Sequence, residues 1–366
     1  MSPREQQVLA LVRDDPMLPQ QAIADRLGIS RSAVAGHIMN LTNKGLIKGR
    51  GYVLSEAPFV AAIGGANIDI HGRSAAPLQQ HDSNPGRVHV SAGGVARNVA
   101  ENLARLGVDC RLISAIGNDH HGRMLMRLSR EAGVDMQHVH EIAFAATSTY
   151  LSVLDDSGDM LVGINDMRIV DELTAELLQA QQAMLKQSAL VVLDCNLADD
   201  ALACLSGSLG DAPIFVDTVS AIKAPRIKPY LHAVHTLKTG TLEVEALTGL
   251  EARTLPQLRK VASQLHRQGV ERVFVTRGKQ GVFYSTGAAE GLRKTERRDR
   301  HIRNAGGAGD AFLAGLAYAW LEDWPLDETV QFALTAAEIT VSHRATSSPA
   351  LSLAAVNERM EMQRAG

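Results

Sequence analysis

The segment Asn304–Asp310 (Asn-Ala-Gly-Gly-Ala-Gly-Asp) joins a glycine-rich turn to an acid at the start of an apolar helical run. Phe312, Leu316 and Trp320 follow at intervals of four, which places them on one face of a helix. The turn is therefore expected at a helix N-terminus, where free backbone N–H groups and the helix dipole attract an anion. Because a carboxylate repels an anion, Asp310 suits removal of a proton from a hydroxyl that attacks phosphate. An ordinary capped helix start is the alternative.

Two further glycine-containing segments offer groups that could bind a ligand. Gly64–Asp69 follows an apolar run, and the Asp69 carboxylate could accept two hydrogen bonds from a vicinal diol. Gly93 and Gly94 open a predicted helix, in which the amide of Asn98 could bind hydroxyls as donor and acceptor. A solvated loop acid and a glycine helix cap are the alternatives for these two segments.

Short β-branched runs alternate with helical patterns from residue 59 onward. The predicted strands are Val60–Ile63, Cys110–Ile116, Leu190–Asp194, Pro213–Asp217, His235–Lys238 and Arg272–Thr276. This alternation predicts an α/β fold, a mainly parallel sheet covered by helices on both faces. Ligands bind at the carboxyl ends of the strands in such sheets. Segments near residues 70–90 and 148–165 break the pattern and predict a small β flap, or lid, at the edge of the sheet.

The segment Arg272–Tyr284 has the pattern strand, glycine turn, strand. A plain hairpin is one interpretation, and a turn against which a nucleotide lies is the other.

Residues 1–55 form a separate predicted domain of three helices. These cover about Arg4–Arg13, Pro19–Leu27 and Ser30–Lys44, with Pro19 and Ser30 as helix-starting residues. The second and third helices, joined by Gly28 and Ile29, have the form of a helix-turn-helix. Two short runs around Gly49–Gly51 predict a hairpin with a basic tip. Residues 3–54 resemble the winged helix-turn-helix of bacterial regulators.

The resemblance implies that the third helix contacts double-stranded DNA. Arg31, Ser32 and His37 would enter the major groove, and Arg50 would reach the backbone or the minor groove. The net charge of the domain is only about +2, so the phosphate contribution of one copy is modest and binding would need a dimer on paired half-sites. A degenerate winged helix that makes only protein contacts is the alternative.

Composition limits the classes of function. The chain has 366 residues, 45% hydrophobic and 21% charged, and a net charge of −3, which argues against a global basic field for nucleic acid or membrane. The three cysteines lack metal-site spacing and indicate reduced thiols. No apolar stretch predicts a signal peptide or a membrane span, so we expect a soluble, cytoplasmic protein without a membrane partner.

The large predicted domain, residues 59–366, contains segments in the order found in one enzyme family. These segments are Gly93-Gly94 with Asn98, Ala115–Gly122, Glu131–Asp135 and Gly307–Asp310. Residues 59–350 therefore resemble the ribokinase-like, or PfkB, carbohydrate kinases, and Gly307–Asp310 is the more specific match. The resemblance implies a ribokinase-like three-layer αβα fold with a β lid, and a homodimer formed through the lid strands.

The resemblance also implies ATP-dependent phosphorylation of a sugar hydroxyl with Mg²⁺. Asp310 would be the base, and the backbone of Gly307, Ala308 and Gly309 would be the anion hole. Residues implied to bind substrate are Asn67, Asp69, Gly93, Gly94 and Asn98. Residues implied to bind nucleotide are Thr276, Gly278, Gly281, Gly307 and Gly309. Glu243 would position Mg²⁺ through water.

Two departures from the family pattern bear on these roles. The family carries Asn-x-x-Glu where this chain has Gly240–Glu243, so Glu243 is retained without its asparagine. The family's second signature commonly starts Asp-Thr, whereas this chain has Asn304-Ala305. Within the family, Gly93–Gly107 and Val216–Lys223 look most like pseudouridine kinases, which phosphorylate the 5′-hydroxyl of a C-linked nucleoside.

Substrate and activity each keep an alternative. A ribonucleoside, with pseudouridine first, is preferred over a free sugar. A phosphosugar would need basic residues near the site, and Arg97 is the candidate, although it could equally pair with an acid on the protein surface. A non-catalytic ligand-sensing regulator is the alternative to a kinase, but such a sensor has no need of a proton acceptor at Asp310.

Overall fold

The computed structural model describes residues 1–48, 58–156, 160–295, 306–343 and 345–364. Internal contacts divide the chain into two compact units, Met1–Ala57 and Pro58–Gly366, and the hydrophobic clusters of the two are separate. Across these ranges no helix combines the length and the apolar character needed to cross a membrane.

The first unit contains the three predicted helices. They are α1 (Pro3–Asp14), α2 (Gln20–Leu27) and α3 (Arg31–Asn43). The Ser30 hydroxyl accepts a hydrogen bond from the N–H of Ala33 at 3.1 Å and caps α3, as predicted. Gly28, with φ of +61°, ends α2 and turns the chain toward α3. The helix-turn-helix prediction is therefore confirmed, whereas the predicted wing lies mostly in residues 49–54, outside the described residues.

The second unit is built on strands that follow the chain in this order. They are β1 (Val60–Ile63), β2 (Asn67–Ser74), β3 (Gly86–Gly93), β4 (Cys110–Ile113), β5 (Ala115–Gly117), β6 (His140–Ile142), β7 (Thr149–Leu154), β8 (Met160–Asp166), β9 (Leu190–Asp194), β10 (Ile214–Asp217), β11 (Val234–Gly240), β12 (Arg272–Thr276), β13 (Val282–Ser285) and β14 (Glu290–Arg293). Within the described ranges, eight of them form one sheet in the order β14-β13-β12-β11-β10-β9-β1-β4. Pairing is parallel from β4 to β12, and β13 and β14 extend the sheet antiparallel.

Helices cover both faces of this sheet. They are α4 (Val95–Arg105), α5 (His120–Glu131), α6 (Ala175–Ala180), α7 (Gln182–Leu185), α8 (Asp199–Ser208), α9 (Thr241–Thr248), α10 (Leu255–Arg267), α11 (Ala308–Leu321), α12 (Leu326–Val341) and α13 (Leu353–Arg364). Successive strand residues point to opposite faces, so Val60 packs in the core with α4, α11 and α12, while Ala61 packs in the core with α8 and α10. The predicted three-layer αβα architecture is confirmed.

The prediction of one strand over Cys110–Ile116 was wrong. The chain leaves the main sheet after β4, and β5 pairs with β6 in a separate two-stranded ribbon. Ser114 stands between the two strands, fully buried, and its hydroxyl donates to the carbonyl of Gly64 at 2.7 Å. That hydrogen bond ties the break to the end of β1.

The predicted lid is a four-stranded sheet in the order β3-β2-β7-β8. Residues that pair across strands share a face, so the register sorts the lid side chains into two sets. One face is polar and includes Asp69 and His71 with Ser91 and Tyr150 beside them. The other face is apolar and carries Val88, Val90, Leu151, Val162 and Ile164.

Candidate active site

Buried charged side chains collect at the carboxyl ends of three neighbouring strands. Asp194 ends β9, Asp217 ends β10, and Lys238 lies near the end of β11. Asp194 accepts hydrogen bonds from the N–H groups of Gly65 at 2.8 Å and Ala96 at 3.0 Å. Its carboxylate thus ties the loop after β1 to the first turn of α4, which fixes two predicted substrate-binding segments relative to the sheet.

Asp310 lies at the N-terminus of α11, in the same region. Its side chain is buried, and Oδ2 accepts a hydrogen bond from Nδ2 of Asn98 at 2.8 Å. Burial raises the pKa of Asp310 to about 7, the negative charge of Asp217 adds to the rise, and Lys238 and Asn98 oppose it. A carboxyl group that titrates near neutral pH can accept a proton and release it again.

Lys238 provides a fixed positive charge next to the glycine turn. Its Nζ lies 2.8 Å from Oδ2 of Asp217, and a Cβ placed on Gly309 would clash with it. Burial acts to lower the pKa of Lys238, but the charges of Asp217, Glu243 and Asp310 outweigh burial and raise it. The ammonium group therefore stays charged against the backbone of the predicted anion hole.

The sequence assigned no role to Lys238. The available signal was a lysine at the end of a predicted strand of a sheet covered on both faces, since a buried lysine requires a charged partner.

A cavity of about 470 Å³ opens beside the glycine turn. Its walls include the predicted nucleotide-binding residues Thr276, Gly278, Gly281 and Gly309, together with Ala308. Gly307 is the N-cap of α11, directly before this wall. Sequence reasoning missed the remaining lining residues: Lys238, Lys279, Thr295, Phe312, Leu334, Ala337, Glu338 and Val341. The apolar lining residues on α11 and α12 follow a helical pattern that a buried core would also produce.

Asn98 links the predicted substrate segment to Asp310. The Nη1 of Arg97 donates to Asn98 Oδ1 at 2.8 Å, while Asn98 Nδ2 donates to Asp310. With its oxygen toward the guanidinium and its nitrogen toward the carboxylate, the amide has one favourable orientation. The use of Asn98 to hold a substrate hydroxyl stays a prediction.

Arg97 is inside the protein, with 3% of its side chain exposed. It forms an ion pair with Glu101, donates to Ser129 Oγ at 3.1 Å and to the Ala92 carbonyl at 3.3 Å. Burial lowers the pKa of Arg97 to about 10, which leaves the guanidinium protonated at neutral pH. The structure therefore shows the alternative in which Arg97 pairs with an acid of the protein. The pair is buried, however, and not on the surface as expected.

Asp69 lies within β2 of the lid sheet and is also buried. Its Oδ1 accepts a hydrogen bond from Nδ2 of Asn67 at 2.7 Å, and burial raises the pKa of its carboxyl group. Gly93 lies opposite Asn67 on β3, and a Cβ at Gly93 would clash with the Asp69 carboxylate. Gly94 is the N-cap of α4. The structure therefore brings all five predicted substrate residues together between β2, β3 and α4.

Glu243 lies at the start of α9. Its Oε2 accepts hydrogen bonds from the Gly240 N–H, at 2.8 Å, and from the Thr218 hydroxyl. Any side chain at position 240 would press on this carboxylate, because a Cβ there would lie 2.9 Å from Oε1. With glycine at position 240 in place of the family's asparagine, the Glu243 side chain therefore turns back and caps the start of its own helix. Neither of the two hydrogen bonds uses Oε1.

The predicted DNA-contacting residues lie in the first unit. Arg31 and Ser32 are exposed in the first turn of α3, and His37 is half-buried farther along the same helix. Arg50 falls outside the described residues.

The ion pair behind Asn98 leads to a stability prediction. Glu101 also pairs with Arg105 at 2.7 Å, so Glu101→Ala leaves Arg97 charged and unpaired in the interior. We expect a loss of about 3–5 kcal/mol in the free energy of unfolding. The matched control is Glu131→Ala, which breaks the Arg127 pair with the same four-residue spacing but with both side chains more than half exposed. That change should cost no more than about 1 kcal/mol.

The measurement is urea unfolding followed by tryptophan fluorescence, since both tryptophans, Trp320 and Trp324, belong to the second unit. Equal shifts for the two variants would contradict the buried pair.

Comparisons with known proteins identify the family of each unit. The family model described as pfkB family carbohydrate kinase matches residues 57–353, and the one described as winged helix-turn-helix DNA-binding matches residues 1–48. Two relatives come from Escherichia coli (strain K12), and each is 38% identical to this chain. "Uncharacterized sugar kinase YeiI" aligns over 96% of this chain and 97% of its own length, and "Pseudouridine kinase" over 84% and 98%.

A crystal structure of a putative sugar kinase from Clostridium perfringens superimposes with a TM-score of 0.73 at 32% identity, covering 84% of this chain and 96% of that one. The match to the carbohydrate kinase model extends over the main sheet, the lid and the glycine turn before α11. The chain therefore belongs to the pfkB family of carbohydrate kinases, ATP-dependent phosphotransferases that act on an alcohol group.

Proposed function

We propose that this protein phosphorylates the 5′-type hydroxyl of a ribonucleoside, with pseudouridine favoured, and that Asp310 is the base. The single observation that carries the proposal is the buried Asp310 carboxyl at the N-terminus of α11, bonded to Asn98 and near the Lys238 ammonium. This arrangement supports the proposal, because a proton acceptor would lie beside a helix start suited to bind an anion.

In the proposed reaction, the substrate hydroxyl loses its proton to the Asp310 carboxylate while its oxygen attacks the γ-phosphorus of ATP. The bond between that phosphorus and the β,γ-bridging oxygen breaks, and ADP leaves with the electron pair. The N–H groups at Ala308 and Gly309 and the ammonium of Lys238 would stabilise the negative charge on the transferred phosphoryl group. The base then returns the proton to solvent.

The described residues fit ATP with Mg²⁺, the pair that PfkB kinases bind. The 470 Å³ cavity ends at the glycine turn, where the absence of a side chain at Gly309 makes room for the Lys238 ammonium. Mg²⁺ keeps several waters and is bound through few protein carboxylates, so a single carboxylate such as that of Glu243 is the type of ligand it uses. Glu243, with Oε1 available, would hold it through water, and the ion would neutralise phosphate charge.

The substrate proposal rests on the contacts of Arg97 and on one relative. Arg97, the basic residue considered for a phosphosugar, has its guanidinium taken up by Glu101, Ser129 and Asn98. A substrate without a phosphate of its own therefore fits better. The similarity to "Pseudouridine kinase", over nearly the whole length of that protein, favours a nucleoside.

The experiment is a screen for ATP consumption by the purified protein against pseudouridine, the common ribonucleosides and free sugars. We expect pseudouridine to give the highest kcat/KM.

In Asp310→Asn the proton acceptor is lost, so kcat should fall by about a hundredfold to ten-thousandfold while ATP still binds. In the wild type, kcat/KM should rise with pH through about 7, because only the ionised Asp310 of the free enzyme accepts the proton.

Near-normal turnover by Asp310→Asn would refute the base assignment. A wild-type protein that consumes ATP with none of the compounds, yet binds a nucleoside by calorimetry, would instead support the ligand-sensing regulator.

We also infer that the first unit binds double-stranded DNA. The exposed Arg31 and Ser32 stand at the N-terminal end of α3, the end that meets base edges in helix-turn-helix proteins. Selection from a random duplex library should enrich a sequence, and Arg31→Ala should weaken binding of that sequence by about tenfold in fluorescence anisotropy. Arg13→Ala, on α1, is the control. Failure to enrich any sequence would favour the degenerate winged helix.

A second copy of this chain is the proposed partner of the lid. On the apolar face of the lid, Val88 is 72% exposed, Val162 50% and Ile164 61%. Such exposed apolar side chains favour burial against another protein surface. The double variant Val162→Asp with Ile164→Asp should sediment as a monomer at concentrations where the wild type is a dimer. Asn165→Asp changes the opposite face of the same strand and should leave the dimer intact. A wild type that sediments as a monomer would contradict the proposal.

A further inference from the structure

Of the six buried side-chain polar atoms that make no hydrogen bond among the described residues, three lie on the polar face of the lid. Among the described residues, His71 Nε2, Ser91 Oγ and Ser148 Oγ are buried and make no hydrogen bond. Each such atom costs free energy unless a ligand or water satisfies it. An accumulation of these atoms on one surface indicates a place where a polar ligand binds.

The strand register places these atoms around Asp69. Ser91 of β3 and Tyr150 of β7 lie directly beside Asp69 on its two sides. His71 is two residues farther along β2, so its Cβ is within about 7 Å of that of Asp69. The two side chains are close enough for His71 to influence the pKa of the Asp69 carboxyl group.

The hydrogen bond that His71 makes leaves Nε2 available. Its Nδ1 lies 2.5 Å from Oγ of Ser152, which is 2% exposed. If Nδ1 carries the proton, Nε2 is an acceptor, and if the serine donates, Nε2–H is a donor. In both tautomers the ring therefore presents one unused hydrogen-bonding atom. The Ser91 hydroxyl can both donate and accept.

The proposed position of the 5′-hydroxyl determines the direction in which the ribose and the base extend. Under the proposed function, the 5′-hydroxyl lies at Asp310, and Asp69 holds the vicinal diol of the ribose. The carbon that carries the base is at the far end of the ribose from the 5′-hydroxyl. The base would then extend along β2 away from Asn67, toward His71. The ring of Tyr150, 6.4 Å from the His71 ring, provides a flat surface there.

We propose that this part of the lid is the subsite for the nucleobase, with His71 Nε2 and Ser91 Oγ as the atoms that bind its N–H and C=O groups. The subsite rests on the proposed nucleoside kinase activity. It selects a ligand class, a ribonucleoside whose base has an imide-like edge, such as a uracil ring. A free sugar would leave both atoms unsatisfied, and an apolar base would do the same.

The test compares two C-linked ribosides, pseudouridine and β-D-ribofuranosylbenzene, which differ in the hydrogen-bonding groups of the base. The wild type should prefer pseudouridine by about a hundredfold in kcat/KM. His71→Ala and Ser91→Ala should each lower kcat/KM for pseudouridine about tenfold and leave the phenyl riboside within about twofold. His89→Ala is the matched control, because His89 pairs with His71 across the lid but is exposed.

Equal losses on both ribosides would indicate a structural role and overturn the subsite, as would unchanged selectivity in both variants. A wild type that phosphorylates neither riboside but accepts a free sugar would overturn the proposed function and the subsite together. Pseudouridine phosphorylation with unaltered selectivity in the variants would overturn the subsite alone.

Discussion

The burial of one carboxyl group constrains the rest of the second unit. Asp310 is placed in the interior at a helix start, where low solvation opposes its charge and the nearby Asp217 adds repulsion. The nearby Lys238 and the hydrogen bond from Asn98 favour its ionised form. The main sheet supplies Lys238 and α4 supplies Asn98. The relative positions of β11, α4 and α11 are therefore coupled through a single group.

Further buried contacts hold Asn98 and α4 in place. Arg97 orients the Asn98 amide, and Glu101 balances the charge of Arg97 inside the protein. Asp194 ties the N-terminal turn of α4 to the loop after β1. Because these groups are buried and each uses several hydrogen bonds, they have little freedom to rearrange. The result is a hydrogen-bond network that joins α4 to α11, to β9 and to the loop after β1.

The lid adds a surface with two different sides. Its register directs Asp69 and His71 to one face and the valines and isoleucines of β3 and β8 to the other. A single sheet can thus contact a polar ligand on one side and an apolar protein surface on the other. The same alternation explains why the segments near residues 70–90 and 148–165 lacked the apolar pattern of the buried strands.

The sequence by itself determined the elements and the residues with chemical potential. Apolar periodicity located the main strands and helices, the glycine turn located the start of α11, and Ser30 and Gly28 marked the helix-turn-helix. These signals are local, since caps, turns and periodicity depend on residues a few positions apart. Where a local signal was absent, as at Ser114, one predicted strand became two.

Tertiary structure alone decided which partners meet. Asn98 and Asp310 are 212 residues apart in the chain, and Lys238 and Asp217 are 21 apart, yet each pair is in hydrogen-bond contact. No spacing rule relates such residues. The sequence pattern around Arg97 did not distinguish a buried ion pair from one on the surface. The apolar pattern of α12 did not distinguish residues that line the cavity from residues of the core. The pKa of Asp310 likewise depends on burial and on charges from other strands, which exist only once the sheet and helices have packed together.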